Sequence, residues 1–81
     1  MPADPSAVPA EFVRMLSKVA EIPEDRISLD AALKTDLAVD SLALVELFTV
    51  AETHWGITIP DEEAQQLATV EQVVDYIQRS I

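Results

Sequence analysis

The middle of the chain alternates apolar and polar residues with the period of an α-helix. Between Ser41 and Trp55 no glycine or proline interrupts the run, and Gly56, the single glycine of the chain, follows it. Asp40 precedes the run, where a carboxylate can accept hydrogen bonds from the free amides of a first helical turn. Glycine is the residue that most often closes a helix in the left-handed conformation. The pattern therefore predicts one helix from Ser41 to about Trp55.

The two faces of this helix differ in polarity. At about 100° per residue, one face collects apolar side chains and is predicted to face the core; its members are Leu44, Leu47, Phe48, Ala51 and Trp55. The opposite face carries Glu46, Thr49 and Thr53, with Leu42 inside this polar sector and Val45 at its border. Ser41 is predicted to face solvent at the positive end of the helix dipole, where a phosphate ester is well tolerated.

Two further apolar stripes flank the central helix. The first predicts a helix from Val8 or Pro9 up to Pro23, with Val8, Phe12, Met15, Leu16 and Val19 on its core face. The last predicts a helix that starts at a capping box, Thr69-Val70-Glu71-Gln72, with a buried stripe formed by Val70, Val73, Val74, Ile77 and Ile81. A short third helix is predicted from Pro60 to about Leu67, since its three acids complement the helix dipole.

The segments between these helices are predicted to be irregular. Residues 1–7, with two prolines, predict a flexible leader before a single domain over residues 8–81. The long connection 22–40 is expected to be held against the helices by Ile22, Ile27, Leu29, Leu33 and Leu37, with a short helical turn within residues 28–33. Residues 56–59 predict an extended connection. The predicted fold class is all-α, a four-helix bundle of three longer helices and one short helix, with a long loop between the first and second.

Composition narrows the classes of function. The chain of 81 residues is 49% hydrophobic, enough for one small packed domain. Fifteen acids against five bases give a formal charge of −10, which disfavours nucleic acid and anionic membranes as partners and favours basic ones. There is no cysteine, and no apolar run approaches the roughly 20 residues of a membrane span. Since no signal-peptide pattern is present at the start, a cytoplasmic location is expected.

Catalytic and metal-binding chemistry finds little support in the sequence. The single histidine, His54, is predicted near the C-terminal end of the central helix, nearly 20 Å from Ser41 at about 1.5 Å per residue. That separation excludes a Ser-His-Asp arrangement. Asp30 and Asp36 flank a loop that lacks the alternating oxygen ligands and central glycine of a calcium site. No metal ligand set and no catalytic residue is predicted, so the chain is not expected to be an enzyme.

A motif around Ser41 resembles that of a known family. Asp36-Leu37-Ala38-Val39-Asp40-Ser41-Leu42, followed by Val45-Glu46-Leu47, is similar to the attachment motif of acyl carrier proteins. The segments Ile59-Pro60-Asp61-Glu62-Glu63-Ala64, Thr69-Val70 and Asp75-Tyr76-Ile77 resemble the third and fourth helices of that family. The resemblance runs from about residue 8 to residue 81. The chain departs from many members at Ala38, where they have glycine.

The resemblance implies a covalent cofactor. In the family, the serine that matches Ser41 carries a 4′-phosphopantetheine arm, flanked here by Asp40 and Leu42, and acyl groups are bound to the arm's thiol as thioesters. A phosphopantetheinyl transferase that uses coenzyme A and Mg²⁺ would supply the arm. The implied function is a free-standing, monomeric carrier that delivers intermediates of fatty acid or polyketide synthesis. Its implied partners are acyltransferases, ketosynthases, reductases and dehydratases with basic docking patches.

The resemblance also implies two groups of binding residues. The residues expected to form a docking surface for these enzymes are Asp36, Asp40, Leu42, Val45, Glu46, Glu52, Asp61, Glu62 and Glu63. The acyl chain is expected to fold back between the second and third helices, in a pocket formed by Leu44, Leu47, Phe48, Ala51, Ile59, Ala64, Leu67, Val73 and Tyr76.

Two alternatives stay open on the sequence. One is a carrier for a specialised polyketide or peptide pathway, although Ala38-Val39-Asp40 favours the acyl type over peptidyl carriers, many of which have paired glycines before the serine. The other is an unmodified acidic helical interaction module. Such a module explains the charge and the exposed Leu42, but it does not explain a serine between Asp40 and Leu42 at a helix start.

Overall fold

The computed structural model describes residues 4–81, and in this range it contains four α-helices: α1 (Val8–Ala20), α2 (Ser41–Trp55), α3 (Asp61–Gln66) and α4 (Val70–Ser80). Two 3₁₀ turns, Pro5–Ala7 and Glu24–Arg26, lie before and after α1. Residues 4–81 form no β-strand; the β-type pairing among them is one isolated bridge between Ala32 and Thr69. The predicted all-α bundle with one short helix and a long first loop is confirmed.

The ends of α2 follow from local sequence signals. The Ala43 amide donates to Oδ1 of Asp40 at 2.8 Å, so the predicted N-cap is formed. At the other end, Gly56 has a φ of 66°, the left-handed conformation that glycine adopts without steric cost. Leu44, Leu47 and Ala51 are buried, as the predicted core face requires.

The core of the bundle lies where α1 packs against α2 and α4. Val8, Phe12 and Leu16 of α1 are fully buried, and they match the stripe that the sequence predicted. Met15 and Val19 are partly buried beside them. Ala31, Leu33 and Val39 of the long loop close the same core. The core therefore includes loop side chains as well as three helix faces.

The helix α4 starts at the predicted capping box. The Gln72 amide donates to Oγ1 of Thr69 at 3.2 Å, and the Gln72 side chain accepts in return from the Thr69 amide at 3.1 Å. Val70, Val73, Val74 and Ile77 are buried as predicted. Ile81 was predicted to continue this stripe, and here the prediction is wrong: its side chain is 39% exposed, because it lies past the last residue of α4.

The long loop is fixed by backbone hydrogen bonds to the segment before α4. The Leu33 amide donates to Ala68 O at 2.9 Å, the Val70 amide to Ala31 O at 3.1 Å and the Glu71 amide to Leu29 O at 2.7 Å. The Leu33 side chain is buried, and Ile22, Ile27 and Leu37 are partly buried, as expected. Leu29 is 47% exposed, so its side chain is not an anchor; the residue contributes its carbonyl instead. Within residues 28–33, where a short helical turn was expected, the Ala31 amide donates to Ser28 O at 3.1 Å and closes a single turn; the 3₁₀ turn of the loop lies earlier, at Glu24–Arg26.

The segment before α1 has local structure that the sequence analysis did not predict. Of the expected leader, residues 1–3 lie outside the described residues, and Pro5–Ala7 forms a 3₁₀ turn. The hydroxyl and amide of Ser6 both donate to Asp4, and they hold the pKa of its carboxyl below the usual range. Nε2 of Gln78 donates to Pro5 O at 2.9 Å. This contact joins the turn to α4.

Candidate functional site

Ser41 is exposed on the first turn of α2. The turn presents amide groups and the positive end of the helix dipole, which favour a negatively charged group on the serine oxygen. The neighbouring carboxylate of Asp40 is hydrogen-bonded to the Ala43 amide at 2.8 Å. Asp40, which was expected to take part in cofactor attachment, is thus the residue that fixes the start of α2 and the direction of Ser41.

A tight turn leads into this helix start. The Val39 amide donates to Leu33 O at 2.8 Å, and the Ala32 amide donates to Oδ2 of Asp36 at 2.8 Å. Ala38 lies between these contacts with a φ of 54°, in the left-handed region that costs a residue with a Cβ about 1–2 kcal/mol. The burial of Leu33 and Val39, the first and last residues of this turn, stabilises the strained conformation of Ala38. Ser41 therefore emerges from a structure that the loop fixes.

The outer face of α2 beside Ser41 combines apolar and acidic side chains. Leu42 is 79% exposed, Val45 is 63% exposed, and Glu46 is exposed beside Leu42 on the same helix. These three residues are called the α2 outer face below. Isolated exposed apolar residues are ordinary in proteins, but here two lie within one helical turn of the candidate attachment point. Val50 lies further along the same helix and is 39% exposed; the sequence analysis did not predict this exposed apolar side chain.

The acids predicted for docking differ in their environments. Asp61, Glu62 and Glu63 are exposed on the first turn of α3. The carboxylates of Asp36 and Asp40 are surface groups, but each accepts a backbone amide. Glu52 is partly buried, and its Oε2 accepts from the Ile59 amide at 2.7 Å. Of the carboxylates predicted for docking, Glu46 and the three acids of α3 therefore accept no hydrogen bond from the backbone of residues 4–81.

A cavity of about 730 Å³ opens between α2, α3 and the loop. Ser41 is among the residues that line this cavity, which is partly open to solvent. Five of the nine residues expected to form a pocket line it: Leu44, Phe48, Ile59, Ala64 and Leu67. The other four do not. Leu47, Ala51 and Val73 are fully buried in the packed core, and the Tyr76 hydroxyl is bonded to Thr58 O at 3.0 Å outside the cavity.

The loop wall of this cavity was missed by the sequence analysis. Residues 32–35 line one side, and Val45, Thr49, Gln65 and Ala68 were likewise not predicted. The apolar spacing of the loop indicated that it packs on the helices, but the spacing does not say which residues meet the cavity. That register depends on the hydrogen bond from the Leu33 amide to Ala68 O, which joins residues far apart in sequence.

Residues 4–81 contain neither a cluster of metal-ligating side chains nor a helix able to cross a membrane. This range contains no group of three or more histidine, cysteine, aspartate or glutamate side chains placed to hold a metal ion. Nε2 of His54 lies 3.4 Å from Oε2 of Glu11, and the imidazole meets the Trp55 ring edge to face. Within the same range, no helix has the length and apolar character needed to cross a membrane.

Comparison with known proteins agrees with this geometry. The model of the phosphopantetheine attachment site family matches residues 10–77. The chain is 44% identical over 70 residues to an acyl carrier protein of Rubrobacter xylanophilus, covering 78% of this chain and 86% of the relative. It is 40% identical over 74 residues to an acyl carrier protein of Thermosynechococcus vestitus, covering 83% of this chain and 91% of the relative.

The described residues fit the prosthetic group that this family implies. A phosphodiester on the Ser41 oxygen would lie at the amide end of α2, and the exposed hydroxyl is accessible to a transferase. The cavity beside it is lined mainly by apolar side chains. The matches and the site together show that the chain belongs to the acyl carrier protein family and that its prosthetic group is 4′-phosphopantetheine.

Proposed function

We propose that Ser41 is the attachment point of the arm and that acyl intermediates are bound to the arm's thiol as thioesters. The observation that carries this proposal is the position of Ser41, exposed at the start of α2 and at the wall of the cavity. In a transferase with Mg²⁺, the Ser41 hydroxyl would attack the pyrophosphate of coenzyme A. A phosphodiester would form, and adenosine 3′,5′-bisphosphate would leave.

We propose that the cavity holds the acyl chain. Its volume of about 730 Å³ falls within the range of about 300–1,000 Å³ that is usual for small-molecule pockets. Burial of apolar chain surface contributes about 25 cal/mol per Å², and it also separates the thioester from water. The helix α3 is the wall best able to yield, because it has six residues and none of them is fully buried.

The proposed docking surface consists of the α2 outer face and the exposed acids of α3. The chain's formal charge of −10 favours partners with basic patches, and Leu42 and Val45 offer apolar contacts at the centre of the negative surface. Such a surface suits a shuttle, because long-range charge speeds encounter more than it slows release. Glu52 is left out of the proposed surface, since its carboxylate is bonded to the Ile59 amide.

We propose that the partners are the acyltransferases, ketosynthases, reductases and dehydratases of fatty acid or polyketide synthesis, acting in the cytoplasm. The protein itself would be a monomeric carrier and not an enzyme, with chemistry supplied by these partners. The relatives are named acyl carrier proteins, which supports a carrier over a catalyst. The intact mass of the protein from its native cell tests the pathway, because the attached group identifies it.

Loading with a phosphopantetheinyl transferase, coenzyme A and Mg²⁺ tests the attachment point. The wild-type protein is expected to gain the mass of one arm, and Ser41→Ala is expected to gain none. Ser28→Ala is a matched control, because Ser28 is also exposed but lies in the long loop, hydrogen-bonds to Asp30 and does not line the cavity. If Ser41→Ala still gains the arm, the attachment point is elsewhere. If the wild type gains none, the chain is an unmodified interaction module.

A further inference from the structure

Lys34 and Ser41 both line the cavity, Lys34 from the loop and Ser41 from the first turn of α2. The residue before it, Leu33, is 1% exposed and is held by two backbone hydrogen bonds, one from its amide to Ala68 O and one from the Val39 amide to its carbonyl. The second bond closes the turn of residues 33–39, so the residue before Lys34 is bonded to a residue that lies two positions before Ser41. The register of the loop therefore brings this lysine and the candidate attachment serine to the same cavity.

The charge of Lys34 is not neutralised by a neighbouring carboxylate. Two ion pairs occur among residues 4–81, Arg79 with Asp75 and His54 with Glu11, and neither includes Lys34. This is notable in a chain with fifteen acids and five lysines and arginines. Two acids near Ser41 are already engaged, because Asp36 and Asp40 each accept a backbone amide. Among the described residues that line the cavity, Lys34 is the only cation.

We propose that Lys34 binds the phosphodiester that joins the arm to Ser41; the inference rests on the proposed attachment at Ser41. A phosphodiester at this position adds a negative charge next to Asp40, in a protein whose formal charge is already −10. The amides at the start of α2 offset part of this repulsion. The positive charge of Lys34 offsets more of this repulsion. Its flexible stem and three N–H donors allow the ammonium group to bind the phosphate in more than one geometry.

The same contact gives the arm a direction. A phosphate held between the start of α2 and Lys34 stays on the side of Ser41 that faces the loop wall of the cavity. The rest of the arm then begins its path at the cavity and not at the α2 outer face, which stays accessible to partners. Lys34 is therefore a positioning residue, which acts through the phosphodiester and has no role in the chemistry of the thioester.

The lysine content of the chain allows a direct test. It has two lysines, Lys18 and Lys34, and Lys18 lies in the last turn of α1, outside the cavity wall. Reductive methylation with ¹³C-formaldehyde keeps the positive charge and gives each lysine its own methyl signal. On conversion from the unmodified to the arm-bearing protein, we expect the Lys34 signal to move and the Lys18 signal to stay. An unmoved Lys34 signal in protein whose mass shows a complete arm overturns the inference but leaves the proposed function intact.

The ³¹P signal of the arm provides the second readout. We expect Lys34→Met to shift this signal relative to wild type, Lys18→Met to leave it unchanged, and Lys34→Arg to restore it in part, because arginine keeps the cation. High salt should shift the wild-type signal towards that of Lys34→Met, since an exposed contact is screened. Identical ³¹P signals in wild type and Lys34→Met overturn the inference. Failure of the wild type to gain an arm overturns the proposed function, and the role of Lys34 with it.

Discussion

The carboxylate of Glu52 accepts a hydrogen bond from the Ile59 amide at 2.7 Å, and this contact joins the last turn of α2 to the connection that leads into α3. Both residues line the cavity. Ile59 is 7% exposed and directly precedes Pro60, which caps α3. The bond therefore fixes where α3 begins, and with it one wall of the cavity.

Removal of this carboxylate should cost stability. We expect Glu52→Ala to lower the free energy of unfolding by about 1–2 kcal/mol, because a hydrogen bond to a charged group is lost and the Ile59 amide is left without its acceptor. Glu52→Gln should cost less, since the side-chain oxygen is kept. Urea unfolding followed by circular dichroism measures both variants.

The matched control for this experiment is Glu46→Ala, which lies six residues earlier on α2 and is exposed. It removes the same charge from the same helix without a hydrogen bond, and we expect a change within about 0.5 kcal/mol. Equal effects of the two alanine variants would show that Glu52 contributes only as a surface charge.

Ala38 offers a site where a single substitution should stabilise the protein. Its φ of 54° is costly for alanine and cost-free for glycine in the folded state. Glycine also raises the entropy of the unfolded chain, which offsets part of the relieved strain, so we expect Ala38→Gly to gain no more than about 1 kcal/mol. Ala43→Gly, within α2, should lose about 1 kcal/mol instead. A loss at both positions would mean that the turn before Ser41 tolerates alanine without strain.

The helices could be predicted from sequence because their signals are local. Asp40 and Gly56 mark the two ends of α2, and Thr69 with Gln72 forms the capping box of α4, and each acts within one helical turn. The exposure of Ser41 follows in the same way from the faces of α2. These features need no knowledge of the rest of the fold.

The loop and the cavity could not be predicted in the same way. Ala31 and Val39 are buried while Leu29 is exposed, an outcome set by hydrogen bonds to residues 68–71 and not by hydrophobicity. Leu47 and Ala51 share the apolar face of α2 with Leu44, but the packing of the bundle encloses them in the core and leaves Leu44 at the cavity. Helical periodicity predicts which face of a helix is buried, but it does not predict which residues of that face pack in the core and which line the cavity.

The charge on the α2 outer face should act on the rate of partner association. We expect Glu46→Lys to slow loading by a basic partner enzyme and to reduce the salt dependence of the association rate, because an exposed charge acts mainly through long-range steering. Stopped-flow measurements over a range of salt concentrations provide the rates. Glu21→Lys, an exposed acid at the end of α1, is the control for net charge alone. Equal slowing by both variants would assign the effect to total charge.

The excess of acids should make stability depend on salt. Ten uncompensated negative charges repel one another in the folded state, and an increase from about 0.1 to 1 M NaCl shortens the Debye length from about 10 to about 3 Å. We therefore expect the melting temperature to rise with NaCl, and with millimolar Mg²⁺ at constant ionic strength. A melting temperature that does not change over this range would contradict destabilising repulsion.

Loading of a medium-length acyl chain should stabilise the protein if the chain enters the cavity. A group that binds to the folded state but not to the unfolded state raises the melting temperature. We expect a higher melting temperature for the acylated than for the unacylated arm-bearing protein. NMR signals of Phe48, Ala64 and Leu67 should shift, because these residues line the cavity. Signals of Val74, which is buried in the core away from the cavity, should stay.

A tryptophan in place of Ala64 separates cargo in the cavity from cargo on the surface. Ala64 is partly buried on α3 and lines the cavity, so the larger side chain should occupy the space and abolish the stabilisation by the acyl chain. Gln66→Trp places the same side chain on the same short helix at an exposed position outside the cavity, and it should keep the stabilisation. Circular dichroism of the unacylated variants confirms that both fold. If the acylated and unacylated wild types melt together, with NMR shifts confined to residues around Ser41, the acyl chain is carried outside the cavity, since burial without a gain in stability contradicts the apolar lining of this space.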